Sequence, residues 1–233
     1  MTHVMIITGT SRGLGRVAAE HYLAGGWQVA GCSRAKAPIG HANYTQFQLD
    51  VGDERAVVGM VRDTARRHGR LDALINNAGI AVMNHALLTT RSSLDDVLRT
   101  NVVGTFLFSR EAAKVMLLRR SGRIVNFATV ATPLHLEGEA AYAASKAAVE
   151  SFTVVLAREL GASGITVNAV GPTPVPTDLI KNVSVEKMRA LQARQAIPRA
   201  GTADDVLNVI DFFLSERSAF VTGQVIYLGG VAR

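Results

Sequence analysis

The stretch Val4-Met-Ile-Ile-Thr8-Gly9-Thr10-Ser11-Arg12-Gly13-Leu14-Gly15 decides the fold. Val4–Thr8 is a short apolar run that ends at a glycine, the pattern of a buried strand. Arg16–Ala24 has helical periodicity and stops at Gly25-Gly26, a C-terminal glycine signal. The three glycines between strand and helix let the backbone turn tightly and approach a ligand closely. The helix N-terminus then presents free N–H groups to a phosphate. Glycines clustered elsewhere would mark only a turn. Between a buried strand and an amphipathic helix they predict a nucleotide site.

Outward from that unit, strand-like and helix-like runs alternate. Further strands are predicted at Trp27–Cys32, Tyr44–Leu49, Ala73–Asn76, Arg123–Ala128, Ile165–Val170 and Val225–Leu228. Helices are predicted at Asp53–His68, Ser93–Leu118, Glu139–Leu160, Val185–Arg194 and from Thr202 to Leu214. Thr202-Ala-Asp-Asp205 reads as a capping box with aspartate in place of glutamate. Such alternation implies right-handed crossovers and a parallel sheet covered on both faces. The expected fold class is α/β: a three-layer, doubly wound Rossmann fold with a seven-stranded parallel sheet. No repeat or linker interrupts it, so residues 1–233 are expected to form a single domain. Gly171–Ala200 holds four of the six prolines and reads as a mobile excursion over the site.

Composition narrows the classes. The net charge of +6 is dispersed apart from Arg119-Arg120 and Arg123, without the aromatic-laced basic stripe of a nucleic-acid binder. No apolar run is long and uncharged enough for a bilayer, and no basic leader precedes Val4, so neither membrane insertion nor a signal peptide is expected. The single cysteine, Cys32, excludes an internal disulfide and suits a reducing, cytoplasmic location. Six histidines without paired spacing argue against a metal site.

Two further features carry chemistry. Tyr142-Ala-Ala-Ser-Lys146 lies in the alanine-rich Glu139–Leu160 run, where a spacing of four places both side chains on one helical face. An ammonium near a phenol favours the phenolate and lowers its pKa, which suits proton exchange with an oxygen that becomes an alkoxide. Ser33-Arg34 follows the second strand, where a carboxylate would hold an adenosine 2′-hydroxyl and an arginine a 2′-phosphate. With Arg12 in the glycine loop as a second cation, the preference is for NADP(H).

Together these residues resemble the short-chain dehydrogenase/reductase family from end to end. The glycine loop is similar to its T-G-x-x-x-G-x-G signature, Asn76-Asn77-Ala78-Gly79 to its N-N-A-G, Asn101-Val-Val-Gly104 to the segment of its catalytic asparagine, and Tyr142/Lys146 to Y-x-x-x-K. The resemblance implies a catalytic set of Asn101, Thr129, Tyr142 and Lys146. Tyr142 would be the acid in reduction and the base in oxidation. Lys146 would lower its pKa and hold the nicotinamide ribose, and Asn101 would anchor a relay water. Gly9, Thr10, Ser11, Arg12, Gly13, Leu14 and Gly15 would cradle the pyrophosphate, and Ser33 and Arg34 the adenosine ribose. Asp50 and Val51 would meet the adenine, with Asn77, Ala78 and Gly79 lining the adenosine side. Pro172, Val175 and Thr177 would border the nicotinamide.

The chain departs from the family in three places. Thr129 replaces the usual serine; its hydroxyl still donates, while its methyl restricts the rotamer. Pro172-Thr173 replaces P-G, and Tyr227-Leu228-Gly229-Gly230 lacks the common aspartate. Within the family the likeness is greatest to 3-oxoacyl-[acyl-carrier-protein] reductases. One carrier-docking basic position falls on Arg120, its partner on Ser163. The loop Leu134-His-Leu-Glu137-Gly-Glu139 puts two carboxylates near the mouth, as solvated residues or as selectors of a polar or cationic substrate. The expected reaction is NADPH-dependent reduction of a ketone to a secondary alcohol, on a 3-oxoacyl thioester of carrier protein or coenzyme A, or on another small polar ketone. The family also implies a homotetramer or homodimer. Two rivals remain. Gly9-Thr-Ser11-Arg-Gly13 fits a hydrolase nucleophile elbow, but it follows only one strand and has no upstream oxyanion loop. A subunit that binds NADP(H) without turnover is the other.

Overall fold

The computed structural model describes residues 2–176 and 183–231. Its single sheet is parallel throughout, with seven strands: β1 (Val4–Thr8), β2 (Gln28–Ser33), β3 (Tyr44–Gln48), β4 (Ala73–Asn76), β5 (Gly122–Phe127), β6 (Ile165–Gly171) and β7 (Val225–Tyr227), in the order β3-β2-β1-β4-β5-β6-β7. The chain winds outward from β1 in both directions, so the strand order reverses between β1 and β4 and a crevice opens at their carboxyl ends.

Alternation along the strands builds two cores. Val4 and Ile6 of β1 face one layer and Met5 and Ile7 the other, all buried. The first layer is α2 (Glu54–His68), α4 (Gly104–Leu117) and α6 (Ala140–Leu160), which pack Met60, Phe108, Met116 and Leu156 onto the sheet. The second is α1 (Gly13–Ala24) and α8 (Ala203–Leu214), with Tyr22, Leu23, Ile210 and Phe213. Two of these helices carry clear end signals. Asp53 caps α2 by accepting from Ala56 N, and Gly69 closes it with φ +68°. Thr202 and Asp205 form the expected capping box of α8.

The predicted Ser93–Leu118 helix proves to be three pieces: α3 (Arg91–Leu98), a π-helical turn at Arg99–Val103, then α4. Hydrophobic periodicity continues across the insertion, which is why the sequence shows one helix. A four-residue helix, α5 (Ala131–Leu134), was not expected and follows β5. In the proline-rich excursion, α7 (Val185–Gln192) starts at Ser184, whose hydroxyl accepts from Lys187 N. No helix among the described residues is long and apolar enough to cross a membrane.

Candidate active site

A cleft of about 1330 Å³ runs over the carboxyl ends of β1, β4, β5 and β6. At one end lie Gly9, Ser11, Arg12, Gly13 and Leu14, with Ser33 and Arg34 after β2 and Asp50 and Val51 after β3. Asn77, Ala78 and Gly79 form the middle of its wall. Thr129, Tyr142, Lys146, Pro172 and Val175 line the far half. Thr177 lies outside the described residues.

The loop's path is fixed by close packing. Gly9 has φ +78°, and a Cβ there would stand 2.8 Å from Asn77 Nδ2. A Cβ on Gly15 would collide with the same amide and with the Gly9 carbonyl. Asn77 Nδ2 in turn donates to the Thr8 and Gly9 carbonyls at 2.9 and 3.3 Å, and Ala78 N donates to Thr8 Oγ1 at 2.9 Å. N-N-A-G and the glycine loop are thus one clamped unit. Two expected cofactor residues lie behind it and do not line the cleft. Thr10 is fully buried, its hydroxyl paired with Tyr44 Oη at 2.8 Å, and Gly15 is packed beneath the turn.

Tyr142 and Lys146 are 8 % and 5 % exposed on α6, at the floor of the far half. Lys146 Nζ donates to the Phe127 carbonyl at 2.8 Å and stands 6.0 Å from the Tyr142 ring centroid. The Thr129 hydroxyl is the side chain that favours the ionised phenol. Here the expected electrostatics need correction. Burial outweighs every other influence and pushes the Tyr142 phenol up to about 12, with the Thr129 hydrogen bond pulling down and the Glu139 charge pushing further up. The same burial brings the Lys146 ammonium down to about 8, against a charge on Glu150 that favours its protonation. Lys146 is not among the influences on the neutral phenol, which are burial, Thr129 and Glu139.

Asn101, the fourth catalytic expectation, sits in the π turn, fully buried, and does not line the cleft. Its amide closes a two-way bond with Ile80, accepting from N and donating to O at 2.9 Å each, and donates to Ser145 Oγ at 2.9 Å. Ser145 Oγ donates to the Tyr142 carbonyl at 2.7 Å. Ser145 therefore ties the π turn to the helix that carries the tyrosine. It lies inside Y-x-x-x-K at a position any residue could fill, so only its burial reveals it. A second buried chain, Asn76 to Asn126 to Thr153, joins β4, β5 and α6 with 2.8 Å bonds. The first asparagine of N-N-A-G thus faces the core, not the cleft.

A glycine-bounded crevice, a phosphate-ready loop and a Tyr/Lys/Thr floor now stand together. The family model described as enoyl-(acyl carrier protein) reductase matches residues 9–231. The chain belongs to the short-chain dehydrogenase/reductase family. It is similar to the 3-oxoacyl-[acyl-carrier-protein] reductase FabG of Escherichia coli K12, at 31 % identity over 97 % of this chain and 96 % of that one. It is also similar to FabG of Staphylococcus aureus Mu50, at 33 % over 99 % and 98 %. Among solved structures, ElxO with NADP bound superposes with a TM-score of 0.90 at 29 % identity, covering 99 % of this chain and 98 % of that one.

Proposed function

We propose that this chain reduces a ketone to a secondary alcohol with NADPH. The observation that carries the reading is the convergence of the Thr129 hydroxyl and the Tyr142 phenol at the floor of a cleft whose other end is a glycine cradle. The residues present fit a dinucleotide. The cradle excludes side chains at Gly9 and Gly15, and the cleft carries Arg12, Arg34 and Lys36 where a 2′-phosphate and pyrophosphate need cations. When bound, NADPH supplies the hydride.

Tyr142 holds the proton that the nascent alkoxide needs. Burial keeps the phenol protonated at neutral pH, the form needed for an acid in the reductive direction. Thr129 donates to the same oxygen. Lys146, cationic below about 8, stabilises the phenolate left behind and holds the ribose. Asn101 anchors the relay that returns the proton. Asp50 and Val51 take the adenine, and Pro172 and Val175 border the nicotinamide. The unit acts as a single cytoplasmic domain, assembled as a homotetramer or homodimer.

The substrate class supported by the named relatives is a 3-oxoacyl thioester on carrier protein or coenzyme A. Docking of a carrier would need Arg120, whose guanidinium already donates to the Ala162 carbonyl at 2.8 Å. A small polar ketone is favoured by one observation, the Glu137 and Glu139 carboxylates in the wall of the far half. The test is the loss of NADPH absorbance with acetoacetyl-coenzyme A, a 3-oxoacyl carrier protein and a panel of small ketones, with crotonyl-coenzyme A as the C=C competitor. Ketone-dependent oxidation of NADPH supports the reading. Turnover of crotonyl-coenzyme A alone points to enoyl reduction, and clear NADPH binding without any turnover leaves the protein a binding subunit.

A further inference from the structure

Glu139 is the N-cap residue of α6, yet its side chain makes no capping bond. Glutamate is a poor capping residue, and helix starts favour Ser, Thr, Asp or Asn, whose short side chains reach back to the first turn. The backbone here is fixed without it. Gly138 turns the chain at φ +80°, Glu139 N donates to the Leu136 carbonyl at 3.3 Å, and the Glu139 carbonyl accepts from Ala143 N at 2.7 Å. The carboxylate is left to line the cleft, half-buried, three residues before Tyr142. Residues so spaced on a helix have Cβ atoms about 5–6 Å apart on one face.

Among the described residues this carboxylate has no hydrogen bond and no close ion pair. Lys187 on α7 acts on it through space only, and burial holds its pKa above the usual carboxylate range. Its charge is in turn felt by the Tyr142 phenol. A carboxylate on a cleft wall with no protein donor keeps its acceptor lone pairs open to a ligand. Beside the group that must receive a carbonyl oxygen, the missing donor is on the substrate.

We propose that Glu139 accepts a hydrogen bond from a hydroxyl or ammonium group that the substrate carries within two or three bonds of its ketone. The inference rests on the ketone-reduction reading and selects its small polar class. The carbonyl oxygen on Tyr142 fixes one end of the substrate, and the carboxylate one turn earlier reads the neighbouring donor. A site built around such an acceptor discriminates against an analogue that lacks the donor, because the carboxylate is then left unpaired when the bound ligand excludes water.

The experiment uses the full chain with NADPH and three matched ketones: 2-butanone, 3-hydroxy-2-butanone and 3-amino-2-butanone. A charge-assisted bond predicts that kcat/KM for the donor-bearing ketones exceeds that for 2-butanone by about tenfold to a hundredfold. Glu139→Leu collapses that ratio to near one. Glu139→Gln keeps part of the preference for the hydroxyl and loses that for the ammonium, which separates the two donors. NADPH fluorescence on binding shows that each variant is folded. Binding of 2,3-butanediol against 2-butanol to the NADP complex, read by saturation-transfer NMR, gives the same comparison without turnover. Ketones reduced with a ratio of one, or a ratio indifferent to both substitutions, overturn the inference and leave ketone reduction standing. Diol binding lost in Glu139→Leu, with no ketone reduced, overturns the reduction and with it the ketone part of the inference, and leaves Glu139 as an acceptor for a bound alcohol. Neither turnover nor diol preference overturns both.

Discussion

At Tyr142 and Lys146 burial moves the two groups in opposite directions, the phenol up to about 12 and the ammonium down to about 8. The sign of the pH effect follows. Reduction consumes the phenol's proton, which is present across the working range, and benefits from the Lys146 charge, which is lost as pH rises through about 8. We expect kcat/KM for reduction to be flat below that value and to fall above it. The profile in Lys146→Arg, whose guanidinium does not titrate there, should lose the limb; an unmoved limb would assign it elsewhere. The spacing of four put these residues on one face, and the sequence reading was right in that. The dominance of burial at both groups depends on the depth of the floor, which no local pattern encodes.

At the scale of elements, the π turn and α6 are joined by Asn101 and Ser145. Ser145→Ala removes an acceptor from Asn101 Nδ2 and a donor from the Tyr142 carbonyl, both in buried residues. We expect a loss of about 1–3 kcal/mol. At about 2–4 °C per kcal/mol for a chain of this size, calorimetry would read it as a lower Tm. The cap of α8 offers a control remote from the site. Thr202→Ala should cost about 1 kcal/mol in denaturant unfolding with no change in NADPH affinity. Arg199 and the Thr202 amide hold Asp205 well below the usual carboxylate range. Its contribution is therefore present above the ordinary aspartate pKa and is lost as pH falls through the folded-state value. This box was legible because its four residues are contiguous. The break in the Ser93–Leu118 helix was not, since a π turn inserts a residue without disturbing composition, and the Asn101–Ile80 bond that accompanies it is non-local.

Over the whole molecule, strand order fixes where a ligand lies. The seven strands and their parallel winding were readable from alternation alone. The crevice follows from β1 having β2 on one side and β4 on the other. The order of the strands was not readable, because it is set by which edge each crossover chooses. The cations of the cleft were visible in part: Arg12 and Arg34 from their motif positions, and Lys36 only once the loop after β2 was placed in the wall. Arg34→Asp should shift the ratio of kcat/KM for NADPH over NADH toward NADH by about tenfold or more, by removing a phosphate partner and adding a ribose acceptor. An unchanged ratio would remove Arg34 from the cofactor site.

The most direct measurement compares wild type with Tyr142→Phe in NADPH oxidation on the best ketone of the panel, with cofactor binding followed by NADPH fluorescence. Loss of the proton donor predicts a fall in kcat of about 10²–10⁴-fold with NADPH affinity nearly intact. A phenylalanine variant that turns over at the wild-type rate would contradict the account.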